Sequence, residues 1–156
     1  MSDSDLVKLY SGRILALAAD IPHLGRLAAP QGTARKRAPL CGSTIAVDVV
    51  LRTGRVAEFA QDVKACALGQ ASASVLGQVV IGRNRAELQA ARDAVAQMLT
   101  GAGPVPPAPF DGYEVLVAAR DYRNRHGSIL LALEATCEAV VAAEAAEAAG
   151  AAGNGP

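Results

Sequence analysis

Residues 45–63 alternate apolar and polar with a period of two, broken once by Thr53-Gly54, and a chain that reads this way has few ways to fold. Ile45, Val47, Val49 and Leu51 fall on one side of the first run, with Ala46, Asp48 and Arg52 on the other. The chain turns at Thr53-Gly54 and returns with Ala57, Phe59, Gln61 and Val63 alternating against Glu58, Ala60 and Asp62. This is a β-hairpin. A two-stranded hairpin is marginal in water, so at least one further strand must pair with it. Residues 31–40 are the candidate.

Helical patterns surround the hairpin. Leu6, Leu9, Tyr10, Ile14 and Leu17 share a face over residues 5–19, and Pro22 with Gly25 in IPHLGRL ends that helix. A loop over 28–39 carries the basic run Arg35-Lys36-Arg37, which reads as a solvated segment. Residues 67–80 form an apolar helix whose middle, Ala71-Ser72-Ala73-Ser74, is small enough to lie close to the sheet. Asn84 with Glu87 is a reciprocal capping pair for a second helix that runs to Leu99 and stops at Gly101. A proline-rich loop follows over 101–109, then a short helix over 111–121 and a long alanine-rich helix over 128–148. Strands early and helices late imply an α+β domain, a small antiparallel sheet of about three strands with helices packed on it. Residues 1–148 read as one domain and 149–156 as a disordered tail.

Fifteen basic residues balance fifteen acidic ones, which argues against a phosphate-backbone binder. The N-terminus lacks the basic start and apolar core of a secretory signal, and no run reaches the ~18 apolar residues that span a bilayer. The expected setting is the cytoplasm, with no nucleic-acid or membrane partner. Three cysteines, 25 and 71 residues apart, form no disulfide framework. In a reducing compartment they are metal ligands, reactive thiols or buried small hydrophobes.

Two of them stand at element ends. Cys41, in PLCGS, sits on a permissive turn just ahead of the first strand of the hairpin. Cys66 opens the small-residue helix, where unpaired backbone N–H groups favour thiolate over thiol. His126, in RHGSIL, precedes the last helix and would sit at a mouth rather than in a core. Arg123 and Arg125 favour its neutral form, the form a metal requires. Each residue also has a plain structural reading, as a core cysteine or an exposed histidine. Cys137 lies ten residues beyond Gly127, about 15 Å along a continuous helix, and reads as a bystander.

Together, PLCGS, KACALGQASASVLGQVVIG and RHGSILLALEA resemble, in order, three motifs of the NifU/IscU/SufU-like iron–sulfur cluster assembly scaffolds. Those proteins carry a Pro-x-Cys-Gly-Asp turn before the sheet, a second cysteine opening a helix rich in Ala-Ser-Ala-Ser, and a His-Cys or Lys-Cys pair opening the last long helix. The likeness covers about residues 5–142, and the IPHLGRL exit is similar to the family's Asn-Pro-x-Asn-x-Gly-x-Leu opening. It implies a SufE/NifU-like architecture. It also implies a site that binds iron, a [2Fe–2S] cluster or zinc through Cys41, Cys66 and His126, with Ser43 a weak fourth candidate.

Two positions depart from the pattern. Ser43 stands where the family has aspartate, and Gly127 where it has its third cysteine. The Leu-Pro-Pro-Val-Lys chaperone-docking segment is also absent, with RDYRN in its place. The implied function is a scaffold or carrier, not an enzyme, with a cysteine desulfurase and downstream apo-protein acceptors as partners, acting as a monomer or weak homo-oligomer. The alternatives are a zinc-dependent sulfur acceptor for a desulfurase and a non-catalytic paralogue that keeps only a partner surface.

Overall fold

The computed structural model describes residues 10–101 and 103–153. The first helix, α1 (Gly12–Ala19), starts where the Ser11 hydroxyl accepts a hydrogen bond from the Ile14 N–H at 3.4 Å. Residues 5–9 of the helix expected over 5–19 lie outside the described residues, and Ser11 is its cap, not part of it.

Three strands follow, β1 (Gly32–Arg37), β2 (Thr44–Arg52) and β3 (Arg55–Lys64), antiparallel in the order β1-β2-β3. The β2–β3 turn is made by Thr53 (φ 52°) and Gly54 (φ 76°). Two successive positive φ values match the right-handed twist of the flanking strands. The third strand comes from 31–40 as expected, but the basic run is part of it, not of a loop. Arg35 and Arg37 project from the exposed face, while Lys36 turns to the helices and pairs with Glu138 at 2.7 Å.

Helices cover one face of the sheet. Ile45, Val47, Val49 and Leu51 of β2 are buried beneath them, with Phe59 opposite Val49 on β3. The other face of β2 is also closed at its centre, where Ala46 and Asp48 are buried. The chain from Pro22 to Gln31 crosses there. It starts at the β3 edge, where Gln61 N–H donates to His23 O and Gly25 N–H to Gln61 O, each at 2.9 Å, and ends where Gln31 N–H donates to Val49 O. Asp48 fastens the middle: Arg26 donates twice, at 2.7 and 3.0 Å, Thr33 Oγ1 at 2.6 Å and Leu27 N–H at 3.1 Å.

The Arg26 hydrogen bonds, with those from Thr33 and Leu27, outweigh burial and hold the Asp48 carboxyl down at about 2. An aspartate in the unfolded chain titrates near 3.9, so this stabilisation, about 2 kcal/mol, is fully present above about pH 4 and lost as pH falls through 2. Asp48→Asn is expected to lower the unfolding free energy by about that amount at pH 7. In urea titrations its deficit should close progressively between pH 4 and pH 2. A deficit of the same size at pH 2 would contradict the assignment.

Helix α2 (Ala67–Val79) is buried nearly all round, from Leu68 to Gly77. Its small residues admit other helices more than the sheet: it packs chiefly on α1 and on the last helix. Ser72 Oγ donates to Ile129 O and Ser74 Oγ to Asp20 O. Helix α3 (Arg85–Thr100) starts on the expected capping box, with Glu87 N–H donating to Asn84 Oδ1 at 2.8 Å and Asn84 N–H to Glu87 Oε1 at 3.1 Å. A 3-10 helix (Phe110–Ala119) buries Tyr113, whose hydroxyl donates to Ser72 O.

Helix α4 (Arg123–Gly153) closes the domain, packing on β1, β2, α2 and α3. It starts before the expected 128 and remains helical past 148, so the region expected as a tail from 149 is helical through Gly153. Residues 154–156 lie outside the described residues. No helix among the described residues is long and apolar enough to cross a membrane.

Candidate functional site

Cys41 rides on the tight loop between β1 and β2. Ala38 N–H donates to Ser43 O at 2.8 Å and Gly42 N–H to Ala38 O at 2.9 Å, and Gly42 takes the left-handed conformation (φ 70°) that closes the turn. The Cys-Gly-Ser order therefore puts the thiol at the rim and the Ser43 hydroxyl beneath it. Cys66 is the N-cap residue of α2, as the sequence implied, but its side chain makes no capping hydrogen bond. The sulfur faces α4 instead, 3.4 Å from Ser128 Oγ.

Ser128 is where the site converges. Its hydroxyl lies 2.9 Å from Ser43 Oγ, and Ser43 Oγ lies 3.4 Å from Cys41 Sγ. Ser43 thus links the Cys41 thiol to Ser128. Both hydroxyls are buried while both thiols are partly exposed, so oxygen forms the floor and sulfur the rim. The close approach of α2 to α4 depends on Gly69, because a Cβ there would lie 2.5 Å from Ser128 Oγ and 2.8 Å from Ala65 Cβ.

Burial disfavours ionisation of Cys41. Hydrogen bonds from Ser43 and Ser128 and the charge of Arg125 oppose it, and together they hold the thiol below the ordinary cysteine value. Cys137 differs. It is buried on α4, and loss of solvent pushes its thiol up to about 11. It plays no part in the cluster of thiols and hydroxyls, as its place along the helix implied.

His126 departs from expectation. Because α4 begins at Arg123, the histidine lies within the first turns of the helix and is only 7% exposed. Its Nε2 is 3.0 Å from both Ala119 O and Arg120 O, the carbonyls that end the 3-10 helix. Carbonyl oxygens only accept, so Nε2 carries a hydrogen and donates it to them. Among the described residues no three His, Cys, Asp or Glu side chains are grouped to hold a metal ion. The expected three-ligand set is thus not assembled: the two cysteines meet through serines, and the imidazole is spent on backbone carbonyls. Ser43 is a candidate on sequence alone, whereas Ser128 emerges only from the structure. The available signal was a hydroxyl next to Gly127 on a face that continues through Leu131, Ala132 and Ala135, all buried.

A three-stranded antiparallel sheet with helices on one face, and cysteines at the leading ends of β2 and α2, define an α+β domain of the NifU-like class. The NifU-like N terminal domain matches residues 9–128, and the chain belongs to that family. The crystal structure of the N-terminal part of a nitrogen-fixing NifU-like protein from Brucella abortus is 42% identical, covers 90% of this chain and 98% of its own, and superposes with a TM-score of 0.87. A hypothetical protein (24% identity, 86% of this chain, 98% of its own) and a candidate SUF-system iron–sulfur cluster assembly scaffold from Fervidobacterium islandicum (16%, 86%, 98%) share the fold, each with a TM-score of 0.75. Among curated proteins none matches.

Proposed function

We propose that the protein is an iron–sulfur cluster assembly scaffold, a carrier rather than an enzyme, that takes up iron and sulfide on Cys41 and Cys66. The observation that carries this reading is the approach of both thiols, from separate elements, to one hydroxyl pair, Cys41 to Ser43 and Cys66 to Ser128. Family membership and the scaffold description of the Fervidobacterium protein point the same way. The cargo is a [2Fe–2S] cluster or its iron precursor, with zinc as the competing ion. His126 would serve through Nδ1 only after a local rearrangement, its Nε2–H acting as the outer hydrogen bond that orients a ligating imidazole. Leu40, 81% exposed beside Cys41, offers an apolar contact for a cysteine desulfurase or an acceptor protein.

Position 127 supplies the test. A Cβ there meets only Ala38 Cβ, at 3.8 Å, so a side chain fits beside the loop that carries Cys41. Wild type reconstituted anaerobically with ferrous iron and sulfide is expected to gain visible absorption, and Gly127→Cys to hold severalfold more cluster. Absence of both chromophore and bound iron from the wild type would overturn the scaffold reading.

One observation favours a second reading. The lowered thiol of Cys41, at the rim of the site, suits attack on a desulfurase persulfide. The thiolate would bond to the sulfane sulfur, the donor's S–S bond would break, and the donor cysteine would leave as thiolate. A gain of one sulfur mass on Cys41 after incubation with desulfurase and cysteine marks that activity.

A further inference from the structure

We propose that Ser128 is itself a metal ligand in this chain, its hydroxyl oxygen joining Cys41 and Cys66 in the donor set that Gly127 leaves short. The inference rests on the scaffold reading and adds a residue to it. Ser128 Oγ lies 3.4 Å from Cys66 Sγ and 2.9 Å from Ser43 Oγ, and Ser43 Oγ in turn touches the Cys41 thiol. Metal bonds of about 2.3 Å to sulfur and about 2.0 Å to oxygen, closed across a 3.4 Å separation, subtend roughly 104°, near the tetrahedral angle. The Cys41–Ser43 pair has the same 3.4 Å separation. The two hydroxyls are too close to serve opposite irons of a cluster but suit adjacent corners around one ion. The geometry is therefore that of a mononuclear site with two sulfur and two oxygen donors, suited to the first iron loaded. Position 127 cannot contribute because glycine has no side chain. Ser128, one residue on, is 1% exposed and fixed by the packing of Gly69 against it.

Cobalt(II) serves as the probe, since its sulfur-to-metal charge-transfer absorption counts thiolates and its visible bands report tetrahedral coordination. The full chain is titrated anaerobically as wild type, Ser128→Ala and Ser128→Cys, with far-ultraviolet circular dichroism confirming helix content. Wild type is expected to show a two-thiolate band. Ser128→Ala should bind at least tenfold more weakly. Ser128→Cys, with helix content checked by the circular dichroism, should raise the charge-transfer absorption by about half through a third thiolate. Wild-type affinity and spectrum in Ser128→Ala, or an unchanged band in Ser128→Cys, would overturn the assignment while leaving the scaffold reading standing. A wild type without any thiolate band would overturn both.

Discussion

Cys41→Ala and Cys66→Ala are each expected to emerge from anaerobic reconstitution colourless, with bound iron reduced at least tenfold. Either change leaves one thiolate over a floor of hydroxyls. Iron–sulfur clusters are held by thiolates, and oxygen donors do not replace them as soft ligands. Stability should change little, since both side chains lie at the rim. The control is Cys137→Ala. That thiol is buried on α4 and held protonated, outside the site, so cluster content should match wild type even if stability falls. Iron quantified per protein beside the visible spectrum decides the matter. Undiminished binding in both rim variants, or loss confined to Cys137→Ala, would remove the site.

The largest stability effect is expected from the first residue of β1. A Cβ at Gly32 would run into Ala139 O and lie 2.5 Å from Ala143 N and 2.9 Å from Ala143 Cα. These are backbone atoms of α4, which no rotamer change can move. Gly32→Ala must lift the strand from the helix, at a cost of about 3 kcal/mol or more and a Tm lower by roughly 6–12 °C. Gly12→Ala, where no atom lies within 4 Å of the added carbon, should leave Tm within a degree or two of wild type. Thermal unfolding of the two variants side by side tests the packing, and equal melting would refute it. Because β1 leads into the loop bearing Cys41, Gly32→Ala should also weaken iron binding.

What could be read in advance was whatever a local pattern encodes. The period-two runs, the Thr53-Gly54 turn and the Asn84–Glu87 capping box each depend on neighbours a few residues away, and each is present. Arg35-Lys36-Arg37 deceived because its strand character comes from outside: pairing with β2, and Glu138 receiving the Lys36 ammonium. His126 deceived for a related reason. The residue just ahead of Arg123 is Tyr122, not the Ser, Thr, Asp or Asn of a usual cap, and the carbonyls that hold the imidazole lie at the end of the preceding 3-10 helix. The likeness of motifs singled out both cysteines, which the structure places ahead of β2 and at the start of α2. It stayed silent on Ser128, because a hydroxyl matters here only once Gly69 lets two helices touch.

The vacancy of side-chain atoms at Gly127 has a kinetic corollary. On the proposed donor set, a cargo held by two sulfurs and weaker oxygens would have fewer strong bonds to break on departure, and the space beside Gly127 would admit a foreign thiol. Such a protein would make a poor store but a fast donor, its turnover governed by whichever acceptor brings the missing sulfur.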